Sequence, residues 1–100
     1  MTTSFVEMTS EARDLSARAG LTTALDQAIR LIQEHFPESD HIDVQAGYDP
    51  DEDSEYLVVA IRAFGTPEIL LDRDLRFIDA WNMHVPWPAV DKVVVRLIPA

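Results

Sequence analysis

The stretch HIDVQAGYDPDEDSEYLVVAIRAF, residues 41 to 64, decides the fold. In its first half Ile42, Val44, Ala46 and Tyr48 alternate with His41, Asp43, Gln45 and Gly47. A period of two marks a strand that is buried on one face and wet on the other. In the second half Leu57, Val59, Ile61 and Ala63 share one face, and Tyr56, Val58, Ala60 and Arg62 share an opposite face that is only partly polar. The two runs read as a β-hairpin whose second strand is either covered on both sides or turned toward a partner. The turn, about Asp49 to Glu55, has neither Asn-Gly nor Asp-Gly, so a longer and mobile tip is expected.

Upstream of the hairpin, Leu25, Ala28, Ile29, Ile32 and Phe36 recur at helical spacing until Pro37 stops the pattern. Before them Ala12, Leu15 and Ala19 make a shorter apolar stripe that Gly20 interrupts. Thr9 or Ser10 followed by Glu11 starts that helix. Thr23 with Asp26 resembles a capping box from which it restarts. Residues 1 to 8 show no periodicity and are expected to be a flexible terminus, with residues 9 to 100 forming a single domain.

Downstream, Thr66-Pro67-Glu68 combines a capping hydroxyl, a proline at the first helical position and an acid near the positive end of the helix dipole. Leu71, Leu75, Ile78 and Trp81 form the expected buried stripe of this second helix. Pro86 and Pro88 make Asn82 to Asp91 an irregular crossing. A third strand follows from Lys92 to Ile98, ended by Pro99. The order α-β-β-α-β predicts an α+β fold: a two-layer domain with a three-stranded mixed sheet and both helices on one face. Right-handed crossover makes the third strand parallel to the second, and pairing beside the first gives an order 2-1-3. The other sheet face then exposes Tyr56, Val58, Val94 and Ile98 among polar neighbours, a surface suited to a partner or to a homodimer.

Composition narrows the function classes. The net charge is −10, and residues 31 to 61 hold nine of the eighteen acids and no Lys or Arg. Direct nucleic-acid binding depends on neutralising phosphates with basic side chains, so a basic protein is the expected partner instead. The chain has no cysteine, which excludes disulfides and thiolate chemistry and suits a reducing compartment. Neither a membrane span nor a signal peptide is read, and the expected location is the cytoplasm.

No constellation stands out as catalytic. Asp49-Pro50-Asp51-Glu52-Asp53-Ser54-Glu55 imitates the acid ladder of an EF-hand, but position six is Ser54 rather than glycine, position twelve is Ala60 rather than glutamate, and a strand follows. His35, His41 and His84 are not paired with one another at three- or four-residue spacing. Asp72, Asp74 and Asp79 are interleaved with Arg73 and Arg76, as on a wet helix face laced by ion pairs. The expectation is therefore no catalytic residue, no metal site and no cofactor. Trp81 is assigned to core closure, and for Trp87 both core and interface readings stand.

The segments FPESDHIDVQAGYDPDEDSEYLVVAIRAF, LDRDLRFIDAW and DKVVVRLIP together resemble a group of short acidic prokaryotic proteins of uncharacterised function. In that group a helix ending in Phe-Pro precedes a strand, an Asp-Pro-Asp/Glu turn, an apolar strand, a helix ending near Arg-Phe-Asp-x-x-Trp and a valine-rich strand. Here Ile78 lies between Phe77 and Asp79, one residue more than the pattern has. The resemblance spans residues 35 to 99 and implies an antitoxin-like member of a two-gene pair. Together with the charge it predicts a non-enzymatic protein-binding module, antitoxin-like or a regulatory subunit, whose contact residues are Asp43, Asp49, Asp51, Glu52, Asp53, Glu55, Tyr56 and Trp87. The alternatives are a small enzyme or metal-dependent subunit that uses acids with His41 or His84, and a structural homodimer.

Overall fold

The computed structural model describes residues 5–39, 41–85 and 92–99. Their elements are β1 (Phe5–Met8), α1 (Ser10–Arg18), α2 (Thr22–His35), β2 (His41–Asp49), β3 (Ser54–Ala63), α3 (Pro67–His84) and β4 (Val93–Pro99). The fold is α+β, with three helices and a four-stranded mixed sheet where two helices and three strands were expected. The strand order is β1-β2-β3-β4; β1 runs parallel to β2, β2 antiparallel to β3, and β3 parallel to β4.

Two expectations about the sheet are corrected. Phe5–Met8, assigned to a flexible terminus, is a strand paired with His41 to Val44. Its side chains are mostly exposed, so no burial pattern marks it; the backbone ladder to β2 holds it, with Met8 half-buried against the core. The last strand pairs with β3 rather than beside β2, because β1 already occupies the free side of β2. Sequential elements that neighbour each other in space are the common case, and β3-α3-β4 obeys it.

Cap chemistry explains the helix ends. Thr9 accepts a hydrogen bond from the Ala12 amide at 3.1 Å, and Thr66 accepts one from Ile69 at 3.3 Å with Pro67 in the first turn. Gly20 separates α1 from α2 with φ of +67°, a conformation that costs a side-chain-bearing residue free energy. The box read at Thr23 is not formed: the N-cap is Leu21, two residues earlier, and it makes no side-chain cap hydrogen bond. The third helix continues through His84 because the proline constraint acts first on Val85, its extended C-cap.

One core joins Ala12 and Leu15 of α1, Leu25, Ala28 and Ile32 of α2, Ile42 and Val44 of β2, Leu57, Val59 and Ile61 of β3, Val93 of β4, and Phe77 and Trp81 of α3. All the helices therefore cover one face of the sheet. The third helix is rotated by about one residue, roughly 100°, from the expected orientation. It buries Phe77 and Trp81, whereas Leu71, Leu75 and Ile78 are 60, 55 and 41 % exposed. The two aromatic rings stack 6.3 Å apart, and Phe77 also meets Phe36 at 6.2 Å, so aromatic packing sets the orientation of the helix.

The rotation also aims Arg73 at Glu38 in the loop before β2, through two bonds of 2.6 and 3.0 Å. Arg76 pairs with Asp72 at 3.2 Å along the helix face, as the interleaved charges suggested. The hydrogen bonds from Arg73 hold the Glu38 carboxyl below the ordinary glutamate value of 4.5. A carboxylate with a depressed native pKa contributes stability above its unfolded value, and that contribution is lost as pH falls through the native value. Wild type is therefore expected to be more stable than Arg73→Gln at pH 7. Urea midpoints of the two should converge on acidification below 4.5. A difference that persists at full protonation would assign the effect to packing of the arginine stem.

Candidate functional site

The face of the sheet away from the helices carries Phe5 and Glu7 of β1, His41, Asp43 and Gln45 of β2, Tyr56, Val58, Ala60 and Arg62 of β3, and Val94, Arg96 and Ile98 of β4. Val94 and Ile98 are 43 and 45 % exposed, and Tyr56 and Val58 are half-buried. The apolar strip read from the sequence is thus present and open.

At the hairpin end this face deepens into an open groove of about 700 Å³, to which Tyr48, Asp49, Glu52, Tyr56, Lys92 and Arg96 contribute. The Tyr56 ring lies across Gly47, its partner on β2; a Cβ on Gly47 would come within 2.6 Å of the ring. Glycine here lets the aromatic ring settle flat on the strand, which fixes one wall of the groove. Lys92 and Arg96 line the groove together with Asp49 and Glu52, so its lining is of mixed charge while the turn beyond it is acidic. That mixture was hidden from a reading along the chain, because parallel pairing of β3 with β4 brings those cations beside a hairpin distant in sequence.

The turn itself is ordered by its own side chains. Asp49 accepts a hydrogen bond from the Asp51 amide at 3.0 Å, and Asp53 takes a left-handed conformation with φ of +49°. Tyr48 donates to Asp53, and that bond raises the phenol above its ordinary value because the proton is held beside a carboxylate. These contacts tie down a tip expected from its sequence to be mobile.

The predicted contact residues separate into groups. Asp49, Glu52 and Tyr56 line the groove, while Asp51 and Asp53 are exposed on the tip next to it. Glu55 turns to the helix side and pairs with Arg18 at 3.4 Å. Asp43 lies six residues from Asp49, about 20 Å along the strand, and belongs to a different cluster. Trp87 falls outside the described residues. Trp81 is 7 % exposed and serves the core, as assigned.

The second cluster was not legible. Parallel pairing sets Glu7 opposite Asp43, with His41 two residues before Asp43 on the same face. His41 Nε2 is 3.0 Å from Asp43 Oδ1 and 3.7 Å from Glu7 Oε2, and the Phe5 ring stacks on the imidazole at 5.6 Å. Among the described residues this is the one set of three histidine or carboxylate side chains whose donor atoms all lie within 4.8 Å. The tip acids do not make such a set. His35 meets Phe77 edge-on at 6.2 Å, and His84 is exposed at the end of α3.

No family model, curated protein or solved structure matches the chain. The functional reading therefore rests on its own residues. No helix among the described residues is long and apolar enough to cross a membrane.

Proposed function

We propose that the chain is a non-enzymatic binding module whose open sheet face and acidic hairpin dock a basic protein in the cytoplasm, in the manner of an antitoxin or a regulatory subunit. The observation that carries this reading is the one-sided cover of the sheet. Tyr56, Val58, Val94 and Ile98 stay accessible on its open face, continuous with a groove that ends at Asp49 and Glu52. The division of labour follows from physics. Apolar and aromatic groups in the centre supply affinity, and the acids of the tip steer approach and select against acidic competitors.

A photo-cross-linking residue placed at Val58 in the source cell is expected to capture a basic protein, with capture fading as salt rises. With that partner in hand, the triple variant Asp51→Asn, Glu52→Gln, Asp53→Asn should associate about tenfold more slowly at low salt, with dissociation little changed. Asparagine at position 53 keeps the left-handed turn accessible, so the charge is removed without reshaping the tip. Equal association rates for variant and wild type would remove the tip from recognition. Cross-links only between copies of the chain, with a concentration-dependent sedimentation coefficient, would establish the homodimer in place of the basic partner.

A further inference from the structure

We propose that Glu7, His41 and Asp43 form a binding site for one divalent ion of the zinc class on the open sheet face where β1 joins β2. The three donors are one imidazole nitrogen and two carboxylate oxygens, and both oxygens converge on the same atom, His41 Nε2, at 3.0 and 3.7 Å. A single ring N–H satisfies one acceptor at hydrogen-bond distance, and Asp43 takes that place. Glu7 is then left facing the same nitrogen at 3.7 Å, beyond hydrogen-bond distance, and two carboxylates that face one point favour a cation among them, a place a bound metal ion would fill. Tetrahedral zinc with bonds of about 2.0 to 2.1 Å sets its ligands about 3.3 Å apart, and the two distances bracket that value.

The backbone supports the donors. Glu7 and Asp43 are register partners in a ladder, so their separation is set by strand pairing rather than by loop conformation. The Phe5 ring, tilted 23° from the imidazole plane, restricts rotation of the ring. An imidazole with two carboxylates suits zinc, cobalt or nickel better than calcium, which takes six to eight oxygen ligands. Three protein donors leave a fourth position for water or for a donor from a docked partner.

Calorimetric titration of the intact chain with zinc chloride is expected to show one saturable equivalent, and His41 ring resonances should shift in parallel. The unfolding midpoint should rise with zinc concentration, because an ion that binds only the folded chain stabilises it. His41→Ala and Glu7→Gln should each weaken binding by about tenfold or more. Glu7 is well exposed, so its variant tests the site without threatening the fold. The triple variant of the hairpin tip should bind zinc as wild type does. Absence of saturable binding, or affinity unchanged in both His41→Ala and Glu7→Gln, would reduce the cluster to an ordinary ion pair. Tighter binding of calcium than zinc at these residues would overturn the assignment of the ion.

Discussion

Phe36→Ala is expected to lower the stability of the fold by about 3–5 kcal/mol, the range for removing a buried aromatic side chain whose cavity closes only partly. Phe36 is 2 % exposed and sits where α2 ends, against Phe77 of α3. Its backbone bonds to Ile32 and Ser39 survive the substitution, so the loss is in packing alone. A domain of this size is typically stable by about 5–15 kcal/mol, so the variant would retain only a modest margin. Urea unfolding at constant m-value measures the change. The contrasting variants are Leu71→Ala and Leu75→Ala on the exposed side of α3, each expected within about 0.5 kcal/mol of wild type. If those two cost as much as Phe36→Ala, the orientation of α3 described above is wrong.

That contrast shows where the sequence was informative. Alternation in Ile42, Val44, Leu57, Val59 and Ile61 revealed two strands and their buried face, because each strand is wet on one side only. Thr66-Pro67 placed the start of α3 by local chemistry, independent of packing. The face of α3 was misread because two apolar stripes lie side by side on it, and periodicity alone does not rank Phe77 above Leu75. Only the neighbouring Phe36 and the reach of Arg73 to Glu38 decide between them.

The candidate sites divide in the same way. The acidic turn and the apolar strip are properties of contiguous residues and could be read directly. The cluster at His41 depends on Glu7, which lies in a four-residue strand too short and too exposed to leave a pattern. The cations of the groove depend likewise on β4 lying next to β3. Both are consequences of parallel pairing, whose partners are remote in the chain and carry no local signal. Charge counted along residues 31 to 61 therefore overstated the acidity of the groove and described its tip correctly.

Tyr56→Ala is expected to be the most damaging single substitution for partner binding, weakening it about 30-fold or more, equivalent to about 2 kcal/mol or more. Tyrosines set among well-packed neighbours dominate interface energetics, because a large amphipathic surface is buried with little loss of conformational freedom. The Tyr56 ring is held in advance by Gly47 beneath it, and it stands between the apolar strip and the hairpin groove. The cost to folding should be no more than about 1 kcal/mol, the scale of one cross-strand pair. Tyr56→Phe preserves the ring and should keep most of the affinity, so a loss confined to the alanine variant identifies ring packing as the source. The kinetics should also differ from those of the neutralised tip: removal of the ring should raise the dissociation rate, whereas removal of the tip charges should lower the association rate. A Tyr56→Ala protein that folds normally and binds the cross-linked partner with wild-type affinity would eliminate the open sheet face as the docking surface.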